Sequence, residues 1–220
     1  FLLRIPETLN SNEIIFIKKF YNNKSLNSIK KILLKENIIP FASHIFIHLG
    51  LDENYWKNEL DYYSKRNELI KNSIESIFKK SKTFNINSLI LTENFASLLL
   101  SEFPISCFTS GDVDLSADIK EKEKIISCME SNGFYISKRN KSANIREDRC
   151  TMFFNKSIID SGFWINVIWV TVTRSYLNQK KFNKRLSLKR PTANIITNTN
   201  IRVLDSTSLL YFCIIHIAAG

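Results

Sequence analysis

Paired cysteines are missing from this sequence. Cys107, Cys128, Cys150 and Cys213 show neither disulfide-like nor metal-ligand spacing, and they lie among apolar residues. Such cysteines are typical of reduced, buried thiols, so neither a disulfide framework nor a zinc site is expected. Long apolar runs are missing too, since none reaches the roughly 18 residues of a membrane-spanning helix, and no segment resembles a secretory signal. We therefore expect a soluble, cytoplasmic protein.

Acidic residues are scarce relative to basic ones. The 220 residues include 31 Lys and Arg against 21 Asp and Glu, giving a formal net charge of +10, and 44% of the chain is apolar. This length and composition suffice for one large or two small packed domains. The positive charge favours anionic partners such as nucleotides or nucleic acid. Because Lys, Asn and Ile are abundant along the whole chain, the charge bias carries little weight.

Helical patterns fill the first third of the chain. Residues 11–36 predict two short amphipathic helices and residues 40–49 a third. Residues 52–82 predict a long helix whose solvated face includes Arg66. These patterns indicate a helical N-terminal region over residues 1–83.

His44 and His48 lie four residues apart on the third predicted helix. That spacing can direct two imidazoles at one metal ion. No third ligand or catalytic glutamate accompanies them, so packing or a surface position is the favoured interpretation and a metal role the alternative.

The remainder mixes strand and helix patterns. Residues 93–100 and 119–131 predict helices, and residues 194–200 predict a loop. Strands are predicted at 86–91, 111–115, 134–137, 151–155, 163–172 and 201–204. The order indicates an α/β (α+β) fold, a mixed β-sheet with flanking helices over residues 84–204. Residues 205–220 predict the start of a C-terminal helical region, and because they end in an apolar segment we expect a longer polypeptide.

Asp112 and Asp114 stand two residues apart within Ser110-Gly111-Asp112-Val113-Asp114-Leu115. On a strand, both side chains project to the same side. Both carboxylates can then reach one divalent cation such as Mg²⁺, which takes oxygen ligands and leaves positions for substrate phosphates. A turn with two solvated acids is the alternative interpretation.

From about Ile29 to Gly220, the order of these segments resembles that of nucleotidyltransferases of the polymerase-β superfamily, in particular a large bacterial set of uncharacterised nucleotidyltransferases. The resemblance rests on several segments in the same order: residues 32–40, 88–91, 93–100, the Gly-Asp-x-Asp strand at 111–115, Asn132-Gly133-Phe134, 163–169, and 203–210 with His216. It implies a nucleotidyltransferase-like domain over residues 84–204.

The resemblance also implies a reaction. An acceptor hydroxyl attacks the α-phosphate of a nucleoside triphosphate and releases pyrophosphate at a site with two Mg²⁺ ions. Asp112 and Asp114 match the first two metal-binding, catalytic carboxylates, and the position of the third catalytic acid is Asn166. The acceptor is a small molecule, a peptide or a protein.

The nucleotide-binding positions implied by the resemblance are Thr92, Glu93, Ser110 and Gly111. Thr92-Glu93 replaces the Lys-Gly that relatives carry at the phosphate-binding turn. The glycine that permits close backbone approach is therefore missing, and a negative charge takes its place.

Other departures affect the metal. Asn166 offers a neutral oxygen in place of a carboxylate, which weakens the binding of the cation that lowers the pKa of the attacking hydroxyl. Phe108-Thr109-Ser110 occupies a stretch where relatives often carry arginine. Neither Asp118 nor Asp160 is expected to replace the missing third acid.

Three hypotheses follow: an active nucleotidyltransferase with altered chemistry, a catalytically degenerate pseudoenzyme that binds a nucleotide or a protein, and a basic nucleic-acid-binding protein. The last depends on two basic clusters, for which a solvated surface is the favoured interpretation. The clusters comprise Lys138, Arg139, Lys141, Arg146 and Arg149, and Lys180, Lys181, Lys184, Arg185, Lys189 and Arg190.

Overall fold

The computed structural model describes residues 5–136, 150–155, 163–169, 194–195, 201–204 and 209. Within these ranges the chain forms six α-helices and a seven-stranded mixed β-sheet, so the mixed α/β class predicted from the sequence is confirmed. The chain divides into two compact units. The first contains Phe1–Glu68 and Phe103–Thr109, and the second contains Leu69–Glu102 and Ser110–Gly220.

Helices build the first unit. They are α1 (Ser11–Asn22), α2 (Leu26–Lys35), α3 (Ile39–His48) and α4 (Glu53–Thr83), of which α4 continues into the second unit. A capping box starts α1, because the Asn10 side chain accepts from the Glu13 amide at 3.0 Å while the Glu13 carboxylate accepts from the Asn10 amide at 2.9 Å. Two amide donors at the helix start are thereby satisfied.

The core of the first unit surrounds a buried tryptophan. Trp56 donates its indole N–H to the Tyr21 hydroxyl at 2.8 Å, and Tyr21 donates in turn to the Asp52 carboxylate at 2.8 Å. Both large aromatic groups can be buried because their polar atoms have partners. The apolar faces of the helices complete the core with Ile17, Ile29, Leu33, Ile39, Ala42, Ile45 and Phe46.

Arg66 contradicts the sequence prediction that placed it on the solvated face of α4. Its side chain is buried, and its Nη1 donates to the Asn67 side-chain oxygen at 2.8 Å. The guanidinium lies 5.8 Å from the centre of the Phe108 ring. Arginine can be buried in this way because its long stem is apolar and its planar head stacks on aromatic rings.

The sheet lies in the second unit, together with α5 (Glu93–Leu99) and α6 (Lys122–Ser131). Its strands are β1 (Ile90–Leu91), β2 (Asp112–Ser116), β3 (Phe134–Ile136), β4 (Cys150–Asn155), β5 (Trp164–Ile168), β6 (Asn194–Ile195) and β7 (Arg202–Val203). Their spatial order is β3-β4-β5-β2-β1-β7-β6. The β2–β5 and β1–β7 pairs are parallel, and the other pairs are antiparallel.

Burial alternates along the central strands, so the two faces of the sheet differ. Val113 and Leu115 of β2 and Ile165 and Val167 of β5 are buried on one face. The residues between them are half-buried and lie on the opposite face. This period of two sets which side chains share a face.

Two sequence predictions need correction. The strand predicted at 86–91 is reduced to Ile90–Leu91, because the amides of Asn87 and Ser88 donate to the Glu121 carboxylate and not to a neighbouring strand. The loop predicted at 194–200 begins with β6, which pairs with β7.

Some predictions lie outside the described residues, namely the two basic clusters and, apart from Leu209, the helical region at 205–220. Among the helices of the described ranges, none combines the length and the apolar character needed to cross a bilayer.

Asn67 provides a test of the first unit. Its buried amide donates to the carbonyl oxygens of Ile105 at 2.8 Å and Phe108 at 2.9 Å. Asn67→Ala removes both donors, so we expect the free energy of unfolding to fall by about 2–3 kcal/mol in urea denaturation. Asn58→Ala, at an exposed position of the same helix, is the control and should change it by less than about 0.5 kcal/mol. Equal effects of the two substitutions would contradict the structural role of Asn67.

Candidate functional site

Two aspartates share the half-buried face of the sheet. Asp112 and Asp114 alternate along β2 with the buried Val113, so both carboxylates lie on the face opposite the apolar core. This arrangement excludes the alternative interpretation of a solvated turn, because both residues belong to a paired strand.

Asn166 connects the two carboxylates. It pairs with Asp114 in the parallel β2–β5 ladder. Its side-chain Nδ2 donates to Asp112 Oδ2 at 3.2 Å and to Asp114 Oδ1 at 2.9 Å. The amide orientation follows from the two acceptors that it faces, since a carboxylate has no hydrogen to donate. The three side chains therefore converge on one point.

Backbone and hydroxyl contacts hold the aspartates in place. Thr92 donates its amide N–H and its hydroxyl to the carbonyl oxygen of Asp114, at 2.9 and 3.1 Å. The Ser110 hydroxyl bonds to Asp112 Oδ1 and also accepts from the Asp112 amide. The Gly111 carbonyl accepts from the Trp164 amide at 3.0 Å, which extends the ladder by one bond. The contacts of Thr92, Ser110 and Gly111 thus fix the strand and the Asp112 side chain at this point.

Glu93 brings a third carboxyl group to the same place. Its side chain is buried, and its backbone has φ of +58°, a left-handed conformation that glycine adopts without strain. Burial, then the nearby charge of Asp114, a hydrogen bond with Asp114 and the charge of Asp112 raise the pKa of Glu93 to about 8. At neutral pH, Glu93 is therefore protonated and able to donate a hydrogen bond to Asp114.

The face that carries the aspartates also carries residues that the sequence analysis did not select. Trp164 pairs directly with Asp112 across the β2–β5 ladder, and Met152 pairs with Asn166 across β4–β5. Cys150 lies two positions from Met152 on β4 and therefore on the same face, and burial together with the charges of Asp114, Asp112 and Glu93 raises the pKa of its thiol to about 12. The sequence feature that could have indicated Trp164 is the spacing Trp164-x-Asn166, because residues two positions apart on a strand share a face.

Other predicted candidates lie elsewhere. His44 Nε2 is 2.8 Å from the Ser106 hydroxyl, and burial lowers the pKa of this imidazole, which agrees with the packing interpretation. Asp118 accepts from the Lys120 amide at 2.9 Å. Asp160 lies outside the described residues.

The oxygen atoms at this point suit a hard divalent cation, because carboxylate and amide oxygens are the ligands that Mg²⁺ takes. Asn166 Oδ1 is buried and has no hydrogen-bond partner within the described ranges. Rotation of the amide would present this oxygen to a cation between Asp112 and Asp114. No group of three or more His, Cys, Asp or Glu side chains in the described part of the chain is arranged to hold a metal. With the amide rotated in this way, two aspartates and one amide oxygen would be available to a single cation.

Comparison with known protein families, with curated proteins and with solved structures finds no match to this chain.

The raised pKa of Glu93 makes stability depend on pH. The folded state retains the Glu93 proton above the ordinary pKa of 4.5. The contribution of Glu93 to stability is therefore fully present below pH 4.5 and is lost towards pH 8, by at most about 1.4 kcal/mol per pH unit. Glu93→Gln should abolish this contribution, so we expect the variant to lose less stability than the parent protein between pH 5 and 8. Urea denaturation with a metal chelator present measures the difference. Glu102→Gln, at an exposed position, should leave the decline unchanged, and an unchanged decline in Glu93→Gln would refute the protonation of Glu93.

The left-handed backbone of Glu93 gives a second test. Glu93→Gly and Glu93→Ala both remove the carboxyl group, but only glycine adopts a positive φ without strain. We expect the glycine variant to be more stable than the alanine variant by about 1 kcal/mol. Asn94 is an exposed residue of α5. At this position the alanine variant should instead be more stable than the glycine variant by about 1 kcal/mol, because alanine favours a helix. The same order at both positions would contradict a left-handed Glu93.

Proposed function

We propose that this protein is a nucleotidyltransferase-like domain that binds one divalent cation through Asp112 and Asp114 and, through that cation, the phosphates of a nucleoside triphosphate. The observation that carries the proposal is the convergence of both carboxylates on the Asn166 amide, at 3.2 and 2.9 Å. Carboxylates held this close repel each other, and a positive charge between them relieves the repulsion. The bound cation supplies the charge that neutralises the phosphate oxygens.

We further propose that bound nucleotide is not turned over at an appreciable rate. Asn166 stands where the resemblance implies a third acid, and a neutral amide holds less tightly the cation that would lower the pKa of an attacking hydroxyl. A loss of several kcal/mol in barrier stabilisation corresponds to a rate reduction of several powers of ten. The protein would then act as a nucleotide-dependent binding domain, the degenerate hypothesis of the sequence analysis.

Glu93 supports binding without efficient transfer. Its carboxyl group is buried beside Asp112 and Asp114, on the turn that the resemblance assigns to the triphosphate. In the cation-free site, a protonated Glu93 carries no charge that would repel an arriving phosphate. The side chain still occupies space that a glycine would leave to the phosphates.

Nucleotidyl transfer is the second candidate, and only the backbone of Glu93, not its side chain, supports it. The φ of +58° means that the turn keeps the backbone shape that glycine would adopt. In this reaction the acceptor oxygen bonds to the α-phosphorus, the bond to the β-phosphate oxygen breaks, and pyrophosphate leaves. The acceptor is a hydroxyl on a small molecule, peptide or protein.

Calorimetric titration with Mn²⁺, alone and with adenosine triphosphate, tests the proposal. Replacing both aspartates, Asp112→Asn with Asp114→Asn, removes the two negative ligands, so we expect cation affinity to fall at least about tenfold and the cation-dependent part of nucleotide binding to vanish. Asp61→Asn, at an exposed position of α4, is the matched control and should bind as the parent protein does. Equal affinities in the double variant and the parent would refute the site.

Pyrophosphate release distinguishes the two candidates in the same preparations. The binding proposal expects release at the background level with or without acceptor compounds. Release that disappears in the double aspartate variant would instead establish transfer and reject the binding-only proposal.

A further inference from the structure

Trp164 differs from the other two tryptophans of the chain. Trp56 and Trp169 are buried, and their indole nitrogens donate to Tyr21 and Thr151, both at 2.8 Å. Trp164 is half-buried, and within the described residues its indole makes no hydrogen bond, ring contact or cation–π contact. The indole N–H is therefore left without a hydrogen-bond partner in that part of the chain, and part of the residue is exposed.

The position of Trp164 relates it to the carboxylate pair. It is paired with Asp112 in the β2–β5 ladder, and its amide bonds to Gly111 at 3.0 Å. Directly paired residues have Cβ atoms about 5 Å apart. Trp164 and Asn166 are two positions apart on β5 and therefore share a face. Since Asn166 contacts both aspartates, the indole lies on the same face, at the Asp112 end of the pair.

We propose that Trp164 stacks on the base of the nucleotide whose phosphates are held at Asp112 and Asp114. This inference rests on the proposed function and names the residue that recognises the nucleoside half of the ligand. An indole offers a flat π surface to which any base can bind, so stacking contributes affinity with little discrimination among bases. A nucleoside triphosphate is the fitting occupant because it combines an aromatic ring with phosphates that require a cation.

Comparing the affinities for adenosine triphosphate and for inorganic tripolyphosphate distinguishes the contribution of the base from that of the phosphates. With Mn²⁺ present, we expect the parent protein to bind adenosine triphosphate about 5- to 150-fold more tightly than tripolyphosphate, the range that stacking of one base provides. Trp164→Leu should remove this preference and leave the affinity for tripolyphosphate unchanged. Trp164→Phe, which keeps a smaller aromatic ring, should retain most of the preference.

Tryptophan fluorescence supplies a second measurement that does not depend on the leucine variant folding. Adenosine triphosphate should quench the emission of the parent protein, and this quenching should be lost in Trp164→Phe although Trp56 and Trp169 remain. Far-ultraviolet circular dichroism confirms that each variant is folded.

The outcomes are distinct. Equal affinity of the parent protein for the two ligands, or an unchanged preference in Trp164→Leu, overturns the role of Trp164 and leaves the cation and phosphate site standing. Failure of both ligands to bind the parent protein overturns the proposed function and the stacking inference with it.

Discussion

The parallel pairing of β2 with β5 in a single register is the constraint on which the site depends. It places Asp114 opposite Asn166 and Asp112 opposite Trp164. Because side chains alternate between faces, a slip of one residue would move Asn166 into the apolar core and bring Ile165 or Val167 to the aspartates. The buried residues on the other face oppose such a slip, since it would expose them. Packing on the apolar face therefore fixes the geometry of the polar one.

Electrostatic repulsion is the second constraint, because three carboxyl groups meet where the two strands pair. Asn166 places its amide hydrogens between the aspartates, and Glu93 retains its proton, so that the local negative charge is limited to the pair. Both adjustments stabilise the protein without a cation. On the proposed function both would oppose nucleotidyl transfer, because the Asn166 hydrogens face the point where a cation would bind and the Glu93 side chain fills space that a glycine would leave open.

The features predicted correctly from the sequence are those that a local residue pattern determines. Apolar periodicity gave the helices α1 to α4 within a few residues, and the Gly-Asp-x-Asp segment was placed on a strand that the structure contains. Tertiary contacts determine the features that were not predicted, namely the burial of Arg66 and the position of Trp164. Arg66 has the charge of a surface residue and is buried because Asn67 and Phe108 provide partners. Trp164 was assigned to a strand, but its position beside Asp112 depends on pairing between segments about 50 residues apart, which no local pattern encodes.

Unfavourable local features concentrate on one part of this sheet. Glu93 combines a left-handed backbone with a buried carboxyl group, Asn166 keeps a buried oxygen without a hydrogen-bond partner in the described ranges, and Trp164 leaves an indole without one there. Elsewhere in the described ranges, the left-handed non-glycine residues are two asparagines and Asp52, residue types that tolerate this conformation. A fold selected for stability alone would place a glycine at position 93. Strain and unsatisfied groups that meet at one point are characteristic of ligand sites, where binding supplies the missing interactions.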